Sequence, residues 1–272
     1  MGSDFFRFKQ FLVRQGGAAM KVGVDSVLLG AWVNAGHAFR ILDVGTGTGL
    51  LSLMMAQRYP DAMIDAVEID NEAYHQACEN IANSPWSNRI RVIYDDFLNY
   101  AEHSLYCYDL IISNPPYFTA SFKPLDGKRD VARHNDSLPH QQLLMKSAKL
   151  LTPAGMLAVV LPPVEATALI DDAATYGLFV KRTLHVQSLL SKPVYRMLVE
   201  LSQSSPLSCG EGSEERSFLP DRKTLCIEKE DRSDFTDEYK HLTGEFYLGS
   251  RQHFYKTYSK EGDNETKMMC LT

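Results

Sequence analysis

The segment Phe39-Arg40-Ile41-Leu42-Asp43-Val44-Gly45-Thr46-Gly47-Thr48-Gly49-Leu50-Leu51-Ser52-Leu53-Met54-Met55-Ala56 leaves the chain few folds to choose from. It reads as a buried strand, a glycine loop and an apolar helix. Glycines permit a tight turn and a close approach of backbone to a ligand, and the first turn of the following helix carries free N–H groups. Gly-x-Gly-x-Gly alone is a weak pattern; between a strand ending in Asp43 and an apolar helix it points to an α/β fold with a ligand at the strand ends.

The strands that follow repeat the theme. Met63-Ile64-Asp65-Ala66-Val67-Glu68-Ile69-Asp70 is a second strand with acids at its end. A carboxylate there can accept hydrogen bonds from both hydroxyls of a ribose. Glu68 is assigned to the ribose, with Ile69 beside it, and Asp70 to capping a helix over residues 71–82. A third strand, Ile90-Arg91-Val92-Ile93-Tyr94, ends in Asp95-Asp96-Phe97. Asp96 suits an exocyclic amine and Phe97 the face of a purine, with Asp95 solvated.

The fourth strand, Asp109-Leu110-Ile111-Ile112-Ser113, stops in Asn114-Pro115-Pro116-Tyr117-Phe118. Proline has no N–H for a ladder and biases its predecessor away from helix, so the strand cannot continue. By itself this is a proline turn. Following Asp43, Gly45, Gly47, Gly49, Glu68 and Asp96, it places a fourth functional group, Asn114, on the carboxyl edge of a parallel sheet, where ligands bind in such folds.

This arrangement resembles the class I S-adenosylmethionine-dependent methyltransferases, which implies a Rossmann-like seven-stranded, mostly parallel sheet with one antiparallel edge strand and helices on both faces. The loop lacks the dinucleotide Gly-x-Gly-x-x-Gly spacing. Asn114–Tyr117 matches the tetrapeptide of methyltransferases acting on planar nitrogens: N6 of adenine, N4 of cytosine or the side-chain nitrogen of glutamine. The resemblance implies that the Asn114 oxygen and the Pro115 carbonyl accept the N–H bonds of the target amine. Pro116 stiffens the loop, and Tyr117 and Phe118 wall the planar acceptor.

Upstream, Asp4–Gln15 alternates bulky apolar with polar residues and carries Arg7, Lys9 and Arg14. It reads either as an edge strand protected by its charges or as a nucleic-acid contact. Asp25 or Ser26 can cap a helix with apolar Val27, Leu28, Ala31 and Trp32. Alternatively, this turn closes over the cofactor, with Lys21 and Asp25 in contact. Phe8-Lys9-Gln10-Phe11, the run Met20–Trp32, the Asn-Pro-Pro-Tyr-Phe loop, Ala132-Arg133-His134 and Thr236–Tyr247 together resemble the bacterial tRNA1(Val) adenine-N6 methyltransferases. The resemblance spans about residues 5–202 and 224–248. It implies transfer of a methyl group from S-adenosylmethionine to N6 of adenine 37 of a valine tRNA, with Arg7, Lys9, Arg133 and His134 contacting RNA. Asn-Pro-Pro-Tyr is also compatible with glutamine methylation on a release factor, and the fold with a non-catalytic binding module.

Five scattered cysteines without Cys-x-x-Cys spacing suggest neither a disulfide framework nor a zinc site, so no metal is expected. A net charge of −6 excludes nucleic-acid binding by overall charge, though not by a local basic face. No stretch reaches the roughly 18 apolar residues of a membrane span. A cytoplasmic monomer without a membrane partner is expected. The organisation expected is an N-terminal extension with a cofactor-covering helix (1–35), a methyltransferase core (36–202), a flexible insertion (203–223), a C-terminal strand and helix of the core (224–248) and an unstructured tail (249–272).

Overall fold

The structure, a computed structural model, describes residues 5–16, 22–116, 138–203 and 221–248. The expectations placed on Lys21, Tyr117, Phe118, Arg133, His134, most of the 203–223 insertion and the 249–272 tail therefore lie outside the described residues.

In chain order the elements are β1 (Phe5–Arg7), β2 (Leu12–Arg14), α1 (Val24–Trp32), β3 (Arg40–Val44), α2 (Leu50–Arg58), β4 (Met63–Glu68), α3 (Asn71–Ala82), β5 (Ile90–Tyr94), α4 (Phe97–His103) and β6 (Tyr108–Ser113). They continue with α5 (His140–Leu150), β7 (Leu151–Leu161), α6 (Pro163–Ala173), a 3-10 turn (Ala174–Tyr176), β8 (Phe179–Gln187), β9 (Val194–Ser202), β10 (Asp221–Cys226) and α7 (Asp237–Thr243). The main sheet has the order β10-β8-β9-β7-β6-β3-β4-β5. β3 to β7 run parallel, β9 is antiparallel to both β7 and β8, and β10 is parallel to β8.

The fold class is the expected one with two corrections. The sheet has eight strands rather than seven, because β10 starts at Asp221, inside the stretch read as loop, and pairs with β8. The antiparallel strand is internal, not an edge: β9 lies between β7 and β8. A short β8–β9 connection permits an antiparallel return, whereas parallel neighbours need a crossover. The short helix α4, absent from the sequence reading, starts on the cap that Asp96 provides.

The runs Ile41-Leu42 and Leu110-Ile111-Ile112 are apolar without alternation because both sheet faces are covered. Ile41, Leu110 and Ile112 point to a core shared with α1, α2, α3, α7 and the β1–β2 hairpin. Leu42 and Ile111 point to a second core with α4, α5 and α6. The hairpin is bound to the body by an aromatic cluster, with Phe8 stacked between Phe11 and Tyr247 at 4.6 and 5.9 Å. The fully buried Glu200 of β9 is held by Arg182 of β8 through two bonds of 2.5 and 2.6 Å, and Arg182 also donates to the Trp32 carbonyl. A bidentate pair with an arginine is the form in which a buried carboxylate is tolerated. It fixes the end of α1 to the sheet.

β7 runs from Leu151 straight through Pro153 and Gly155, with a register shift against β6 between Tyr108 and Leu110. Gly155 makes this possible. A Cβ on it would sit 2.6 Å from the Tyr108 carbonyl oxygen, which is backbone and cannot swing away. Gly155→Ala is therefore expected to lower unfolding stability by about 1–3 kcal/mol in urea titration; an unchanged midpoint would show that the strand start shifts freely.

Candidate active site

The carboxyl ends of β3, β4, β5 and β6 lie side by side and bring together the residues singled out there in the sequence. Gly45, Gly47 and Gly49 all have left-handed φ values of 68°, 58° and 81°. Such values are strained for other residues, which explains three glycines in five positions. Nothing lies within 4 Å of where a Cβ on Gly45 or Gly47 would project, so the loop faces open space there.

Asp43 anchors this loop. Its Oδ2 accepts from the Thr46 hydroxyl at 2.6 Å, the Ser52 hydroxyl at 2.7 Å and the Ser52 N–H at 3.0 Å. The carboxyl is fully buried, and Oδ1 has no partner among the described residues. Burial outweighs these hydrogen bonds and pushes its pKa up to about 6. A buried carboxylate with one unanswered oxygen favours a nearby positive charge.

Glu68 is 7% exposed, and its Oε2 accepts the Gly47 N–H at 2.7 Å while Oε1 accepts the N–H groups of Ile69 and Asp70, both at 2.9 Å. A carboxylate offers about four acceptor positions. Three are occupied, so in this structure Glu68 clamps the glycine loop and has one position left for a ligand. Ile69 beside it is 59% exposed, an aliphatic side chain at the strand edge with its face open. Asp70 caps α3 as expected, its Oδ1 accepting from the Ala73 N–H at 2.8 Å.

Asp96 and Asp95 each bind a neighbour on α4. Asp96 uses Oδ1 to cap α4 through the Leu98 N–H at 3.1 Å, and half-buried Asp95 is bound by Asn99. Phe97 corrects the sequence reading. It is 5% exposed and packs in the core under α4 and α5, so its ring is a structural residue and not an open wall for a purine.

Ser113 and Asn114 finish the edge. The Ser113 hydroxyl donates to the Val44 carbonyl at 2.8 Å, binding the end of β6 to the root of the glycine loop. The Asn114 amide Nδ2 donates to Ser26 Oγ of α1 at 2.9 Å, and Oδ1 is buried without a partner among the described residues. Pro115 is buried and Pro116 exposed.

Asp25 is not the cap of α1. The cap position is Gly23, without a side-chain bond, and Asp25 in the first turn pairs with Arg196 of β9 at 2.7 Å. Lys9 likewise has an internal role: its ammonium group donates to the Gly244 carbonyl and its N–H to the Phe246 carbonyl, so it joins hairpin to C-terminal segment. Arg7 is exposed on β1.

Three contributors escaped the sequence reading. Ser26 was weighed only as a cap. Arg196 gave no local signal, because its partner is 171 positions away. Asn80, on a helix face that reads as polar, is 2% exposed and joins β2 to the loop. Its Nδ2 donates to the Arg14 and Thr48 carbonyls, and its Oδ1 accepts the Arg14 N–H.

Comparison with known proteins agrees with this geometry. Residues 18–166 match the methyltransferase small domain model. A tRNA1(Val) (adenine(37)-N6)-methyltransferase of Parabacteroides distasonis is 44% identical over 248 residues, covering 91% of this chain and 99% of that one. A protein of the same name from Trichodesmium erythraeum is 43% identical over 251 residues, again covering 91% and 99%. Among solved structures, one described as a predicted O-methyltransferase from Agrobacterium tumefaciens shares the fold with a TM-score of 0.60. It is 18% identical and covers 82% of this chain and 96% of that one.

The raised pKa of Asp43 predicts a pH signature. Between about 3.8, its unperturbed value, and about 6, the folded protein holds a proton that the unfolded chain has released. Raising the pH through that window therefore costs folded-state stability, on the order of 3 kcal/mol in total. Asp43→Asn lacks this titration. Urea unfolding of both proteins from pH 4 to 7 is expected to show wild type losing ground to the variant up to about pH 6 and then running parallel to it. A constant difference across the range would refute a buried carboxyl with this shift.

Proposed function

The chain belongs to the tRNA1(Val) (adenine(37)-N6)-methyltransferase family, and from that membership we propose that it transfers a methyl group from S-adenosylmethionine to N6 of adenine 37 in a valine tRNA. The observation that carries the chemistry is Asn114: a carboxamide at the end of β6 whose oxygen is buried and has no partner among the described residues while its nitrogen is engaged.

The cofactor supplies, when bound, a methyl group made electrophilic by a sulfonium centre. Several features of the chain fit that group. The left-handed Gly45 and Gly47 leave open space above the loop, and the N-terminus of α2 follows it. The unanswered oxygen of Asp43 provides negative character beneath the loop for a cationic ligand. Glu68 has its remaining acceptor position for a ribose hydroxyl, Ile69 an exposed aliphatic face for a purine, and Asp96 a second carboxylate oxygen for an exocyclic amine. Lys21 and Asp25 remain assigned to the turn that covers this ligand, Asp25 acting through its pair with Arg196.

The adenine N6 is a poor nucleophile because its lone pair is delocalised into the ring. Asn114 Oδ1 and the Pro115 carbonyl each accept one N–H of that amine, which draws the nitrogen toward tetrahedral geometry and aims the lone pair at the methyl carbon. The N–C bond forms as the C–S bond breaks, and the proton left on nitrogen is acidic enough to pass to water. No strong base is required. Tyr117 and Phe118 are assigned to stacking on the flipped base, and Arg7, Lys9, Arg133 and His134 to RNA approach. For Lys9 this requires release of the Gly244 carbonyl.

The test is incubation with methyl-labelled S-adenosylmethionine and either total tRNA or release factor, followed by nucleoside analysis. N6-methyladenosine in valine tRNA is the expected product; label confined to protein would overturn the reading. Asn114→Ala is expected to lower turnover by about 100-fold or more while cofactor binding persists in calorimetry. Near-normal turnover would remove Asn114 from the reaction.

A further inference from the structure

We propose that Ser26 is the positioning residue that presents Asn114 Oδ1 to the target amine, an inference that rests on the role given to Asn114 above. A carboxamide has two chemically opposite ends, and only the oxygen end can accept N–H bonds. Something must keep that end turned toward the acceptor base and stop it from finding another donor.

Two features of the chain accomplish this. The first is local. Asparagine side chains commonly accept a bond from the backbone N–H two residues on. Here the next two residues are Pro115 and Pro116, and neither has an N–H to give. Oδ1 therefore receives no backbone bond from the two residues that follow it, in agreement with its having no partner among the described residues although it is buried. A buried acceptor left unpaired costs on the order of 1–3 kcal/mol, so it persists only where the surroundings hold it.

The second feature is the holder. Nδ2 of Asn114 donates to Ser26 Oγ at 2.9 Å, across 88 positions of sequence. With the nitrogen engaged there, the plane of the carboxamide is fixed and Oδ1 is left on the side away from Ser26. Ser26 is itself immobile because α1 is fixed at both ends. In its first turn Asp25 pairs with Arg196 of β9 at 2.7 Å. At its other end one guanidinium nitrogen of Arg58 donates to the carbonyls of Gly30, Ala31 and Val33. Residues 27–32 are buried throughout. The hydroxyl of Ser26 thus acts as a rigid peg for the side chain that contacts the substrate.

The experiment compares Ser26→Ala and the near-isosteric Ser26→Cys, whose thiol is a poor acceptor, with Ser26→Thr, which retains a hydroxyl. Steady-state rates with tRNA are read beside KM for S-adenosylmethionine and the thermal midpoint. Expected is a fall in kcat of about 10-fold or more for Ala and Cys, with cofactor KM unchanged and kcat recovered in the Thr variant. If Ser26→Ala also melts early, the Cys and Thr pair at matched midpoint decides. A kcat within twofold of wild type for Ala or for a stably folded Cys variant would overturn the proposal, as would equal losses in Cys and Thr. Asn114→Ala in the same assay separates the two readings. If it is inactive while Ser26→Ala is normal, only the positioning role fails; if it is active, the role of Asn114 fails with it.

Discussion

The site depends first on one buried carboxyl group. Asp43 ends β3, yet its bonds run forward to Thr46 and Ser52, so a single side chain spans the glycine loop and grips the first turn of α2. From the other side Glu68 holds Gly47, and Gly45 and Thr46 donate to the Val67 carbonyl. The loop is therefore suspended between two strand ends by groups that point into it, while its outer face carries no side chains. A loop of left-handed glycines would otherwise be the most entropically costly part of the chain to order. Burying an acid under it has an electrostatic cost, visible as the raised pKa, and that cost is the kind a cationic ligand relieves.

The second constraint is α1, which couples the N-terminus to the rest of the site. Its hydrophobic side packs on α2, where Gly30 lets Met54 approach so closely that a Cβ would lie 2.7 Å from the sulfur. Its polar first turn reaches both Asn114, just past β6, and Arg196 of β9. Asn80 adds a further link, joining β2 to the Thr48 carbonyl of the glycine loop. The hairpin read from sequence as a charged edge is consequently part of the same packed body. Its aromatic residues enter the core with Tyr247, and Lys9 is tied to the Gly244 carbonyl.

What the sequence made legible follows the range of the forces involved. Periodicity and proline or glycine punctuation are local, and they located β4, α3 and β5 almost residue for residue. The strand-end residues Asp43, Glu68, Asp96 and Asn114 were legible for the same reason, since a parallel sheet converts a local strand end into a shared edge. Tertiary pairing was not legible. The Asp25–Arg196 pair, the internal place of β9 and the addition of β10 each depend on partners far away in sequence. Phe97 was misread because an aromatic after a strand-end acid is compatible with either face of the turn. The cap from Asp96 starts α4 there and carries the ring into the core.

Asn-Pro-Pro itself takes on a different meaning once its surroundings are known. Two prolines end β6, but a single proline would suffice for that. The second one matters because it removes the N–H that an asparagine side chain would ordinarily capture. Deleting donors from a loop is an unusual way to build a site: the acceptor is kept open by denying it its two nearest backbone partners. Such an acceptor would swing toward any distant donor unless its other end were fixed, and the Ser26 hydroxyl on α1 is the group that fixes it. A motif readable within four residues is thus tied to a bond across 88 positions, through which α1 reaches the end of β6.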